Sequence, residues 1–579
     1  MPDTLAIVTK RLALRARPET GRAIGLATAA LLLLLVGGSA PAAHAFPHIT
    51  FGGVTLSTNR FELLTSTGAD TFQIVGNAVT WAVLEPNGRD FDATALRSLD
   101  QQVRSADAAG IERIVIRLRP GGGPIAPFAG PEASWPVDST TYDTKNGEFL
   151  GPKYPIGTYS YPPRVLTRDE PGNTSPWYDF VLALARRYDG TTPDPQSPAK
   201  RLPRVAVWSC VEEPDVKSFW YGTASDYFGG VGGDARVGTL PSFYRAVKAA
   251  NPSATVIGGA LTSHQLGFRL AHDQARAHGN RYDAEVRAWA TAYFRTSYPM
   301  QRVFAANVPD AQLFKQIEQD RESRRARDLI DSLFAGSAPD FYDVIGIHHY
   351  DDWASLASVI EFHRTRSNGS KPIWITELGF ADQPPPGTKS WVSESDQASW
   401  LAKKLVVALS LGVEHVSYAP LLGIPGFAAI YPSTTAERLA RRTWQLFGRM
   451  LHDGYRVSDS HVGGDGTLVV LDREDGQSHV AVGFAQPGTG FADLGRAMGV
   501  PDSPTFAFDP LGRRIDATQL EAAFAAEPVL AAWGQAVVDR DGDGYPAPFD
   551  CDDSTATVSP AVSDGGADPR DNDCDPITR

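Results

Sequence analysis

The sequence predicts an α/β protein: a closed (β/α)8 barrel, then a small all-β, sandwich-like domain and an aspartate-rich tail with the spacing of a calcium loop. Three observations predict it. Short β-branched runs alternate with amphipathic helical stretches from Phe46 onward, the signature of parallel strands joined by helices. Eight such units can be counted in a body of roughly 400 residues, the size of one elaborated barrel. After Gly454 the alternation gives way to a hairpin pattern, and then to a segment with few large apolar residues.

In chain order, HITFGGVTLS (48–57) and FQIVGNAVTWAVLEP (72–86) are the first two strands. Asp92, followed by Leu96, Leu99, Val103 and Ala106 on one face and by Gly110, predicts a helix with its cap and its stop. ERIVIRLRP (112–120) is the third strand, and roughly fifty residues rich in Gly, Pro, Tyr and Thr follow, a length that usually serves function. Trp135, Tyr154, Tyr159 and Tyr161 in that loop are available to stack on a ligand or to pin the loop to the body. Ser175-Pro176 opens the next helix. VAVWSCVEEPD (205–215) is the fourth strand and ATVIGGAL (254–261) the fifth, and a mostly helical insertion covers 280–335. DVIGIHHY (343–350) and KPIWITELGFAD (371–382) are the sixth and seventh strands. Ser393 with Asp396 opens a helix that closes at Gly412, VEHVSYAPLLG (413–423) is the eighth strand, and ERLARRTWQLFGRML the last helix. The barrel thus spans 46–454. TLVVLDREDGQSHVAVGF (467–484), with Asp475-Gly476 at its turn, and FAFDPLGRRIDA place the β domain at 455–535, and 536–579 is the tail.

Residues 1–45 read as a signal peptide: Lys10, Arg11, Arg15, Arg17 and Arg22 precede the run AIGLATAALLLLLVGG, and Ala43-His44-Ala45 offers a cleavage site before Phe46. The apolar run falls short of the ~20 residues that a membrane span needs, which favours cleavage over an anchor. The protein is therefore expected to be secreted or held at the cell surface or in the periplasm, with no transmembrane segment in the mature chain. Removing five basic and two acidic side chains takes the formal charge from −13 to −16. So acidic a protein lacks the basic face that nucleic acid requires.

Three cysteines occur. Cys551 and Cys574 in the tail are a natural disulfide pair in an exported chain, and Cys210 reads as a buried, inert thiol. In the tail Asp539, Asp541 and Asp543 alternate before Gly544, and Asp550 falls where the twelfth residue of a calcium loop would sit. Asp552, Asp553, Asp571, Asp573 and Asp575 are available for a second cluster. Hard oxygen ligands at this spacing point to Ca²⁺, with Asp539, Asp541, Asp543, Asp550, Asp552 and Asp573 as the ligand set; the other reading is a solvated acidic tail.

Two β-runs end in carboxylates, one at Glu212-Glu213-Pro214 and one at Glu377. Barrel strands aim their C-terminal ends at one mouth, so Glu213 and Glu377 are expected to meet there. Paired carboxyl groups at a barrel rim are what glycoside hydrolysis uses. VWSCVEEPD resembles the Trp-x-x-x-Asn-Glu-Pro-Asn stretch of clan A retaining glycoside hydrolases, WITELGF their nucleophile strand, and DVIGIHHY their His-x-Tyr strand. The segment from Trp81 through TWAVLEPNGRDFDATALRSLDQQV resembles the clan's Trp-x-x-x-Glu-Pro opening. The resemblance implies a secreted enzyme that cleaves a β-linked poly- or oligosaccharide with no catalytic cofactor. Glu213 would be its acid/base and Glu377 its nucleophile, and Glu212, His348, Tyr350, Trp208 and Trp81 would contact substrate. Trp220, Trp353 and Trp374 lie near the same strand ends. Two positions depart from the clan. Glu212 stands where it has asparagine, and its second-strand arginine is absent from IVGNAV, leaving Arg117 or Arg119 on the third strand as substitutes. The departures motivate a second reading, a barrel without catalysis that binds carbohydrate or serves a structural role at the cell surface, with a calcium-binding tail.

Overall fold

The computed structural model describes residues 50–121 and 162–559, except for 56–60, 66, 87–89, 164, 217–218, 221, 386, 388–391, 434–437, 486–487, 548 and 551. The segment 1–45, the aromatic loop residues Trp135, Tyr154, Tyr159 and Tyr161, both tail cysteines, and Asp571, Asp573 and Asp575 lie outside the described residues.

Eight parallel strands form the barrel: β1 (Thr50–Thr55), β2 (Thr71–Ile74), β3 (Arg113–Leu118), β4 (Val207–Cys210), β5 (Thr255–Thr262), β6 (Val344–His349), β7 (Ile373–Leu378) and β8 (His415–Tyr418). Each pairs with its neighbours in sequence, and β8 closes on β1 with Thr50 opposite His415. β2 stops at Ile74, well short of the predicted 72–86. Gly76 takes a left-handed turn with φ 87, and Trp81–Leu84 form a short helix instead.

Three helices open the surrounding layer, two of them with the caps written in the sequence. They are α1 (Ala93–Ala108), capped by Asp92, α2 (Pro176–Arg187), capped by Ser175, and α3 (Thr239–Ala250). The insertion is helical: α4 (Ser263–Ala277), α5 (Ala284–Tyr293), α6 (Tyr298–Ala305), α7 (Asp310–Gln319) and α8 (Arg321–Ser332). α9 (Leu356–Arg366), α10 (Glu394–Ser410), capped by Ser393, and α11 (Ala440–His452) complete the layer. No helix among the described residues is long and apolar enough to cross a membrane.

Inside the barrel the side chains sort by height. Val115, Val207, Ile257, Val344 and Trp374 form an apolar plug from five consecutive strands. Above it the lumen is polar and buried: Gln73, Arg117, Ser209, Thr376, His348 and Ser417 all point inward, and hydrogen bonds replace hydrocarbon packing. The outward residues of the same strands, such as Ile116, Trp208 and Ile375, pack under the helices.

After Gly454 come β9 (Tyr455–Val462), β10 (Gly466–Arg473), β11 (His479–Ala485), the helix α12 (Phe491–Arg496), β12 (Phe506–Phe508), the helix α13 (Leu520–Ala526) and β13 (Val529–Trp533). The strands make one antiparallel sheet in the order β9-β10-β11-β13-β12. The expected sandwich would need a second sheet. Here one face, with Val469, Leu471, Val480, Val482 and Phe484, joins the barrel's core, and the other is covered by Phe491, Leu494 and Phe524 of α12 and α13.

Candidate active site

Strand parity and one irregularity bring three carboxyl groups together. On β7, Trp374 faces the lumen and Ile375 the helices, so simple alternation would turn Glu377 outward. The register slips by one residue between the pairs Ile347–Ile375 and His348–Glu377. This bulge lets both Thr376 and Glu377 serve the lumen, a way in which bulges commonly re-aim a functional side chain. At the end of β4 the chain turns sharply: Val211 and Glu213 both have left-handed backbones, with φ of 53 and 48. Such conformations cost on the order of 1–3 kcal/mol each and persist where the surroundings hold them.

His348 is the hub. Its Nδ1 lies 2.8 Å from Glu213 Oε1 and 3.3 Å from Glu377 Oε2, and its Nε2 is buried without a protein partner. Tyr350 donates its hydroxyl to Glu377 Oε2 at 2.5 Å. Arg117 donates Nη1 to Glu377 Oε1, Nη2 to the Thr376 carbonyl at 2.7 Å and Nε to Gln73 Oε1 at 2.6 Å. The same Nη1 stands 3.5 Å from Glu212 Oε1. Of the two third-strand arginines that the sequence offered, Arg117 is the one that pairs with Glu377.

These contacts drive the carboxyl groups apart in acidity. Burial opposes ionisation of Glu377, but the charges of His348 and Arg117 and the hydrogen bonds from Tyr350 and Arg117 outweigh it and bring its pKa down to about 2. Burial, the charge of Glu377 and the charge of Asp215 hold Glu213 well above the ordinary carboxylate range. Burial and the charge of Glu377 raise Glu212 to about 7 against the pull of Arg117 and Arg119. Burial pushes His348 below its usual value. One carboxylate is thus ionised beside another that keeps its proton, the division that acid and nucleophile roles require. Glu212, His348 and Glu377 could also offer three metal-ligand atoms within 4.8 Å of one another. The Arg117 guanidinium already supplies the positive charge between the two glutamates, which disfavours a cation there.

The structure brings together Glu212, Glu213, His348, Tyr350 and Glu377, and it leaves the tryptophans out. Trp208 lies on the helix side of β4, 1% exposed, with its indole N–H on the Val205 carbonyl. Its strand neighbours Val207 and Ser209 hold the lumen face. Trp81 is buried against Trp177 and Phe180 and donates to Glu85 at 2.6 Å. Trp220 packs on Tyr227, Trp353 on Phe484 of the C-terminal sheet, and Trp374 beneath the site against His415. Residues missed from sequence include Gln73, Thr376 and Phe427, whose ring meets that of Tyr350 at 4.8 Å. Only their inward parity marks the first two, and nothing in the sequence marks Phe427.

In the tail, Asp539, Asp541 and Asp543 bring ligand oxygens within 4.8 Å of one another, and so do Asp541, Asp550 and Asp553. Asp539 accepts from the amides of Gly542 and Gly544, both at 2.7 Å, and wraps the loop around itself. Asp541 Oδ2 and Asp543 Oδ2 are buried without a protein donor. Asp552 accepts from the amide and hydroxyl of Ser554, and the second grouping includes Asp553 rather than Asp552.

No protein-family model matches the chain, and no curated protein does. Similar solved structures include a glucosidase from Croceicoccus marinus, 11% identical over 77% of this chain and 76% of that one with a TM-score of 0.42. A GH30 endoxylanase from Clostridium papyrosolvens is 11% identical over 85% and 98% with a TM-score of 0.44. A GH39 β-xylosidase from Caulobacter crescentus is 13% identical over 85% and 98% with a TM-score of 0.40.

Proposed function

We propose that this chain is an exported glycoside hydrolase that cleaves β-linked poly- or oligosaccharides by retaining double displacement. One observation carries the reading: Glu213 and Glu377 contact the same imidazole nitrogen, so their facing oxygens lie at most about 6 Å apart, a ceiling that admits the ~5–5.5 Å of retaining pairs and falls short of the ~6.5–9.5 Å that leaves room for water. Glu377, ionised, attacks the anomeric carbon. Glu213, protonated, gives its proton to the departing oxygen and then takes one from the water that hydrolyses the glycosyl-enzyme. Tyr350 and Arg117 orient the attacking carboxylate, and Glu212 faces the sugar beside them. No cofactor enters the chemistry.

The test is turnover of aryl glycosides and polysaccharides by the whole chain. Glu377→Ala should lose at least ~1000-fold in kcat on every substrate, whereas Glu213→Ala should lose ~100-fold or more in kcat/KM on substrates with poor leaving groups and much less in kcat/KM on activated ones. A chain that binds glycans without turning any over would instead be the non-catalytic barrel. The role of Arg117 on Glu377 supports catalysis over that alternative, since it provides the cation that IVGNAV lacks.

For the tail we propose a Ca²⁺ site built by Asp539, Asp541, Asp543, Asp550 and Asp553, supported by the convergence of their hard oxygens. A bound ion would neutralise the clustered carboxylates and tie 539–543 to 550–553. Calorimetric titration of the full chain with Ca²⁺ should give binding heat that Asp541→Asn reduces; absence of heat in millimolar calcium would leave a solvated acidic tail.

A further inference from the structure

Arg325 belongs to α8, in the helical insertion, yet its guanidinium reaches the loop that leaves β4. Nη1 donates to the carbonyls of Pro214 and Trp220, and Nη2 to that of Asp215, all at 3.1 Å. Nε holds Glu322 one turn back, also at 3.1 Å. One planar cation, its side chain 16% exposed, therefore collects three carbonyls, two from the residues that directly follow Glu213 and one from Trp220 farther along the loop. The loop is fastened from the opposite side too. The Asp215 carboxylate accepts from the amide and hydroxyl of Thr262, at 2.9 and 2.8 Å, where β5 ends.

Between the end of β4 and these fastenings sit the two left-handed residues, Val211 and Glu213. Neither is a glycine, and β4 itself ends at Cys210, so no strand pairing fixes the Glu213 backbone. A chain in this conformation relaxes unless something holds it. We propose that Arg325 is a positioning residue: it holds Glu213 in the turn that presents its carboxyl to His348 and to the leaving group, which makes the helical insertion part of the catalytic apparatus. The rigid fork of guanidinium donors fits three fixed carbonyls, whereas the single ammonium of lysine does not. The proposal rests on the reading of Glu213 as the acid.

The experiment compares wild type, Arg325→Lys and Arg325→Ala on two substrates with one glycone, one carrying a dinitrophenolate leaving group and the other an alkyl or sugar aglycone. For both variants kcat/KM should fall about 100-fold on the poor leaving group and stay within about threefold on the activated one, because only the former needs a well-placed acid. Equal loss on both would mean general damage to the fold, and no loss on either would mean the clamp is idle; each overturns the proposal. Hydrogen exchange provides a readout independent of activity. Amides of 211–220 should exchange faster in Arg325→Ala while those of 373–378 stay as in wild type, and unchanged exchange at 211–220 would refute the clamp. Should wild type turn over neither substrate, the glycosidase reading fails, and the exchange data still decide whether Arg325 holds the turn.

Discussion

Burial beside Glu377 raises the Glu212 carboxyl from 4.5 to about 7, and stability follows from that shift. In the unfolded chain Glu212 ionises at its ordinary value, so between that value and about 7 the folded state keeps a proton that the unfolded state has lost. Stability therefore falls as pH rises through this window. Glu212→Gln removes the cost. Urea unfolding should show a gain on the order of 1–3 kcal/mol at pH 8 and almost none at pH 5; an equal gain at both would mean that charge is not the cause. At this scale the sequence is legible where a residue's type states its role. Glu213 and Glu377 are carboxylates at the ends of β-runs, and His348 and Tyr350 stand two apart at the end of one β-run, a spacing that predicts the same face. Trp208 misleads because a strand buried on both sides carries large apolar residues toward lumen and helices alike, and Trp81 because it lies on the short helix that follows β2. Only the partner strands decide which way such a ring points.

Among the elements, β7 holds the narrowest tolerance. Gly379 follows it immediately, and a Cβ there would overlap the Ala419 carbonyl and approach the Tyr350 ring. Gly379→Ala should destabilise by about 1–3 kcal/mol through overpacking and loosen the Tyr350–Glu377 hydrogen bond, read as a lower Tm together with a lower kcat. An unchanged Tm would show that the strand end yields freely. Helix starts are well marked in the sequence because caps act locally: Asp92, Ser175 and Ser393 each accept backbone amides one turn on. The end of β2 is not. The run from Phe72 to Leu84 stays rich in apolar residues on both sides of the left-handed turn at Gly76, and periodicity cannot tell a strand from a buried short helix there. The β7 bulge is equally silent, since one extra residue in a ladder leaves no trace in composition.

For the whole molecule, the antiparallel sheet and the barrel share one core. Phe484 meets the ring of Trp353, Lys403 lies over both rings, and Thr443 donates to the Pro510 carbonyl at 2.8 Å. The change of pattern at Gly454 is legible in sequence; that the sheet's second covering layer is helical and its first is the barrel is not, because alternation gives a buried face without naming what buries it. A chain ending at Gly454 should aggregate or express insolubly, since it would uncover the apolar surface against which Val469, Leu471 and Val480 now pack. A soluble truncation with wild-type Tm would show that the barrel is self-sufficient.

Closure of the barrel also sets a schedule. β1 and β8 pair through Thr50 and His415, so the first strand waits for its second neighbour until the ribosome has made some 365 further residues, roughly 20–70 seconds at ordinary synthesis rates. Throughout that interval β1 presents an open parallel edge, and such an edge recruits any strand that arrives first. The nascent chain therefore depends on being shielded by a chaperone, or kept extended, more heavily than a protein of this size built from local contacts.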